Sequence, residues 1–223
     1  MIINIEYKKR AINVINNIFM VLMTLFTSTS FAASYNFVQD SFIEENIASQ
    51  LTMDVTQSGD DVLFTFYNDA SENISSSLTD IYFSDSDALF TDVSVYADSG
   101  EGVAFTNGAK PSSYKGDSKS SFTTDYSADS DSPVSDNGVS TSSEWVSFLG
   151  TLDDLNTYSM VLDSLTSGDF LVGLHIQSIN GGSSDWYLST SVSSISAVPL
   201  PAAAWLFGSA LIGFVSVQSR RKV

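Results

Sequence analysis

The sequence predicts an all-β protein, an antiparallel β-sandwich or jelly roll, and three observations carry that expectation. Apolar and polar residues alternate over short runs, as in Leu51-Thr52-Met53-Asp54-Val55 and Asp61–Asn68, where Val62, Phe64 and Phe66 share one face. Gly, Asn, Asp and Ser separate those runs, as turn residues separate the strands of an antiparallel sheet. Between residues 33 and 197 no long stretch carries the helical period.

Taken in order, Ser58-Gly59-Asp60 is a turn signal, so Leu51–Val55 and Asp61–Asn68 read as a hairpin. Leu78–Phe83 is the next strand, with Leu78, Ile81 and Phe83 available for burial, and Val93–Tyr96 is a short one. Glu144–Leu149, Thr157–Leu162, Phe170–Ile179 and Trp186–Val192 follow; their aromatic and β-branched residues suit a half-buried pleated surface. Phe170–Ile179 is the most apolar and is placed centrally. Leu152–Leu155 reads as a short helical turn. About eight or nine such strands make a sandwich or jelly roll. Lys110–Ser143 differs: Ser, Asp, Thr and Gly dominate, with Tyr114, Phe122 and Tyr126 as anchors. It reads as a long disordered or decorative loop with one weak strand at Ser120–Asp125. No repeat of fixed period is present.

The two ends read as membrane addresses. Tyr7-Lys8-Lys9-Arg10 is basic, Ile12–Phe26 is mostly apolar, and Ser30-Phe31-Ala32 fits a small-residue cleavage site. Residues 1–32 are therefore read as a secretory signal peptide whose removal leaves Ala33 or Ser34 first. At the other end, Ala202–Ser219 carries no charge and is near the lower length limit for a membrane-spanning helix. Arg220, Arg221 and Lys222 after it hold that end on the cytoplasmic side. Residues 33–197 are the body between them, about 165 residues, enough for one domain with a core.

The tail begins Val198-Pro199-Leu200-Pro201-Ala202, followed by the apolar run and the short Arg/Lys end. Motif, helix and basic end in that order resemble the PEP-CTERM sorting signal of Gram-negative bacteria, in its VPLPA variant. The resemblance covers residues 198–223 only. It implies recognition of Val198, Pro199, Leu200, Pro201 and Ala202 by an exosortase, a membrane-embedded transpeptidase-like protease, after translocation by the Sec machinery. It also implies removal of the tail and release to the cell surface or extracellular polysaccharide matrix. A plain single-span anchor that stays uncut is the alternative. The resemblance supplies an address and no activity for the body.

The body holds 25 of the 26 acids and only three of the nine Lys and Arg residues, Lys110, Lys115 and Lys119, a net −22. Such a polyanion repels phosphate backbones, which excludes nucleic acid as a partner, and its field favours cations. The chain has no cysteine, so no disulfide supports the fold.

Catalytic chemistry finds little to stand on. His175 is the only histidine; it alternates with Val172, Leu174 and Ile176 and faces away from them. No nucleophile motif accompanies it, and the many acids name no particular pair for glycoside hydrolysis, so a hydrolase ranks last. Calcium, which takes about six to eight oxygens, suggests Asp85-Ser86-Asp87 and Asp129-Ser130-Asp131, with Asp136-Asn137-Gly138 and Asp153-Asp154 as further acidic loops. None completes an EF-hand loop, and a solvated acidic surface is the competing reading. Trp145, Trp186 and Tyr187 could stack on sugars or pack in the core. The expectation is a non-enzymatic exported surface or matrix protein without a cofactor. A calcium- or polysaccharide-binding adhesin-like module is the alternative.

Overall fold

The computed structural model describes residues 32–41, 45–70, 74–100 and 102–194. The cleavage-site residue Ser30, the sorting motif at 198–202 and the basic end at 220–222 lie outside the described residues. No helix among the described residues is long and apolar enough to cross a membrane.

Ten strands form one antiparallel sheet: β1 (Ala32–Gln39), β2 (Leu51–Ser58), β3 (Asp61–Asn68), β4 (Ser77–Asp85), β5 (Phe90–Asp98), β6 (Phe105–Asn107), β7 (Tyr126–Ser130), β8 (Val146–Leu152), β9 (Phe170–Ile179) and β10 (Ser183–Ser194). Their order across the sheet is β5-β8-β3-β2-β1-β10-β9-β4-β7-β6. The two ends of that order meet. The Val95 N–H of β5 donates to Asn107 Oδ1 of β6 at 2.9 Å, and the Tyr126 hydroxyl of β7 donates to the Phe90 carbonyl at 2.8 Å. The sheet is thus nearly closed, which leaves little unpaired edge to template aggregation.

Curling brings the two halves of the sheet together over a phenylalanine core. Phe64 of β3 and Phe148 of β8 come from one half, Phe83 of β4 and Phe170 of β9 from the other. Ring centroids lie 5.6 Å apart for Phe64–Phe83, 5.4 Å for Phe83–Phe148 and 5.6 Å for Phe64–Phe170. Phe66 and Phe90 complete the group. Such tilted and edge-on pairs add to the stabilisation from burying the rings.

A second interior device is polar. Gln50 Nε2 donates to Asn68 Oδ1 (3.0 Å), Ser76 Oγ (2.9 Å) and the Ile74 carbonyl (2.9 Å). Asn68 Nδ2 donates to the Val139 carbonyl (3.0 Å) and to Ser76 Oγ (3.1 Å). Gln50, Asn68 and Ser76 are all buried, so these bonds meet needs that water cannot reach.

The hairpin forms as the sequence predicts, with Gly59 in the left-handed region (φ 67°) between β2 and β3. Phe170–Ile179 is an interior strand, as expected. Leu78, Ile81 and Phe83 are all buried although their spacing breaks strict alternation. An irregularity between Leu78 and Asp80 explains it, because a bulge resets which residues face inward.

Two expectations are corrected. Thr157–Leu162 is no strand: Tyr158–Ser167 is the helix α1, while Leu152 ends β8 and the short turn expected at Leu152–Leu155 is a single one closed by the Asn156 N–H on the Asp153 carbonyl at 2.8 Å. Tyr158, Val161 and Leu165 make a buried helical stripe. Gly168 (φ 87°) ends the helix, its N–H and that of Asp169 both bonding the Ser164 carbonyl. Lys110–Ser143 is also not decoration. It holds a short 3-10 turn at Asp117–Ser120 and then β7, later than the expected Ser120–Asp125, and it buries Tyr114 and Phe122. The strand β1, with Ala33, Tyr35 and Phe37 inward, adds an element that sequence reading passed over.

Candidate functional site

The outer face of β10, β9, β4, β7 and β6 carries one continuous row of side chains. Registers place Trp186 opposite His175, His175 opposite Asp80, Asp80 opposite Asp129, and Asp129 opposite Thr106. Strand alternation puts this row opposite the core, as the sequence predicts for His175.

Asp80 is the centre of the row and is 0% exposed. A buried carboxylate needs hydrogen bonds to replace water, and two close donors supply them. His175 Nδ1 lies 2.8 Å from Asp80 Oδ2 and Thr79 Oγ1 donates to the same oxygen at 2.9 Å. The Tyr82 hydroxyl oxygen lies 3.4 Å from Asp80 Oδ1. The His175 ring stacks on Trp186 with centroids 4.2 Å apart and planes 11° apart.

Asp129 carries the largest chemical consequence. Its pKa is raised to about 6, first by its own desolvation, then by the charge of Asp80 and a hydrogen bond with it; Lys110 opposes the rise and Asp131 adds to it. Asp80 and Asp129 stand directly opposite each other in the ladder, where like charges repel, and a proton on Asp129 relieves that repulsion. Tyr82 is raised far above the ordinary phenol range, by burial and then by Asp80 and Asp129.

A strap, residues 108–125, lies over the aromatic end of this face. Tyr82, Ala109, Tyr114 and Phe122 form a buried cluster there, with Leu171, Trp186 and Leu188 against it. The Tyr82 hydroxyl donates to the Pro111 carbonyl at 2.9 Å. Tyr114 donates to Asp40 Oδ2 at 2.8 Å, and Ser118 donates to Asp40 through N–H (2.9 Å) and Oγ (2.7 Å). Gly173 makes room for Tyr114: a Cβ there would come 2.5 Å from its ring. The carboxylate of Asp185 is tied by Gln39 Nε2, Ser41 Oγ and the Trp186 N–H.

The acids singled out for calcium occupy separate places. Asp85 accepts from the N–H groups of Leu89 (2.9 Å) and Phe90 (3.0 Å), holding the turn into β5. Asp87 accepts from Ser164 Oγ of α1 at 2.7 Å. Asp131 accepts from Thr106 Oγ1 at 2.8 Å, and Asp129 belongs to the Asp80 pair. Because Asp129 lies opposite Asp80, it is five residues along β4 from Asp85, about 16 Å at strand rise. Among the described residues, no group of three or more His, Asp or Glu side chains is arranged to hold a metal ion.

The aromatics divide similarly. Tyr187 is buried, faces the core and accepts from the Ile47 N–H at 3.2 Å, so it is no sugar platform. Burial pushes its hydroxyl up to about 12. Trp186 meets three rings: His175 on its face, Tyr114 edge-on at 5.2 Å, and Tyr82 at 5.7 Å. Trp145 is half-buried beside Ser99.

No family model, no curated protein and no solved structure matches this chain.

Proposed function

We propose that the chain is an exported, non-enzymatic cell-surface or extracellular-matrix protein, delivered by its N-terminal signal and sorted and processed through its C-terminal tail by an exosortase. One observation carries the reading beyond the sequence: Ser34 near the start of β1 lies opposite Ser194 at the end of β10. The body's entry and exit are neighbouring strand ends at the same rim of the sheet. Only residues 195–197 separate β10 from the motif at Val198. In this reading the curled sheet is a jelly-roll-like sandwich between a signal-peptide helix and a C-terminal transmembrane helix. Its net −22 keeps it soluble outside the cell.

The alternative, an adhesin-like module for calcium or polysaccharide, draws less support, since Asp85 spends its carboxylate on backbone N–H groups and Trp186 on neighbouring rings. Deletion of residues 198–223 tests the proposal. Cell fractionation is expected to show the full chain at the surface and the deleted chain no longer surface-bound. Equal surface display of both would refute sorting through the tail.

A further inference from the structure

The paired acids of the outer face suggest a device that surface sorting does not require. Asp80 and Asp129 come from different strands, β4 and β7, and stand directly opposite each other across the ladder, where residues on one face have neighbouring side chains. The strap springs from the same place. Lys110, its third residue, carries the charge that opposes the rise at Asp129, and the N–H of Gly108 donates to the Ser127 carbonyl of β7 at 2.7 Å. Ala109 N–H donates to Ser127 Oγ at 3.1 Å. Tyr82, beside Asp80, holds the Pro111 carbonyl. The charged and titratable groups facing the pair are His175 from β9, Lys110 from the strap, Asp131 beyond β7, and Tyr82 on β4 itself. Trp186 and Thr106, the outer members of the row, carry no charge.

We propose that Asp80 and Asp129 form a proton-operated latch: in mild acid one shared proton ties β7 to β4 beneath the strap, and its loss toward neutrality sets two carboxylates against each other and loosens the strap root. The proton moves only between water and the carboxyl pair; no other bond changes. His175 positions the latch by holding Asp80 Oδ2 from the other side.

The sign follows from the direction of the shift. Asp129 in the folded chain binds its proton more tightly than a free carboxyl at 3.8. The fold is therefore favoured fully below that value, and the contribution is lost as pH rises through about 6.

Hydrogen exchange, read by mass spectrometry on the full-length chain and corrected for intrinsic exchange, tests the latch. Protection across residues 105–130 is expected to fall about tenfold between roughly pH 4 and pH 7 in the unaltered chain, a step that allows for partial exposure of Asp129. In Asp129→Asn the fall is expected to vanish, and in the control Asp154→Asn, an exposed acid elsewhere, to persist. Lys110→Ala removes the charge that opposes the rise, so the fall should occur at higher pH. Unchanged protection in the parent chain, or an equal fall in parent and Asp129→Asn, overturns the proposal. So does loss of the fall in Asp154→Asn. If Asp129→Asn does not fold, an unmoved transition in Lys110→Ala overturns it equally.

Discussion

Replacing Phe83 with alanine is expected to cost about 3–5 kcal/mol of folding stability, the range for deleting a large aromatic from a packed core. Phe83 is fully buried and touches four other rings: Phe64, Phe66, Phe148 and Phe170. Its position joins both halves of the curled sheet, so the void cannot be filled by one strand shifting inward. For a domain whose total stability is about 5–15 kcal/mol, most of the margin goes. Urea unfolding of the purified chain measures the loss as a drop in midpoint at constant slope. Tyr96→Ala is the control: at 61% exposed on β5 it should shift stability by no more than about 0.5 kcal/mol. Equal effects from the two substitutions would mean that the aromatic core does not hold the sheet together.

Asn68→Ala is expected to cost about 2–3 kcal/mol, for a different reason. The side chain contributes little apolar area. It joins β3 to Gln50, Ser76 and the Val139 carbonyl in a place closed to water. Removing it leaves Gln50 Nε2 and Ser76 Oγ one partner short each. Gln50→Ala should cost a similar amount, and the double substitution less than the sum, since both break one network. Urea unfolding of the three variants gives the coupling directly. Additive losses would show that the two amides act independently.

The sheet was legible where local pattern and turn chemistry agree. Val62, Phe64 and Phe66 alternate cleanly, Gly59 supplies the left-handed turn, and the hairpin forms there. Leu78, Ile81 and Phe83 are legible as buried from their apolar character, although only a bulge makes their spacing fit. Helix α1 was misread because Tyr158, Val161 and Leu162 also suit a strand. The signal that marks its end, Gly168 in the left-handed conformation, is present in the sequence, whereas Thr157 at its start makes no side-chain cap bond. Strand β1 was missed because it starts at the cleavage site, where the small residues of one feature mask the alternation of the other.

The site was less legible. Alternation along the strand shows the outward face of His175, but its carboxylate partner Asp80 lies 95 residues earlier. In sequence Asp129 stands beside Asp131, yet its partner is Asp80, across a ladder between strands separated in the chain by β5, β6 and the strap. Pairings of this kind depend on register, and register is set by the whole sheet rather than by any short motif. Tyr114 is a similar case, since its burial depends on a distant glycine, Gly173.

Export of this acidic β-body by two disposable ends is the proposal most open to direct test. Intact-mass analysis of the protein recovered from the cell surface and medium tests it most directly. The expected species begins at Ala33 or Ser34 and lacks the apolar run and basic residues after the Val198–Ala202 motif. A full-length chain found in the cytosol, still carrying Met1 and Val223, would contradict the account.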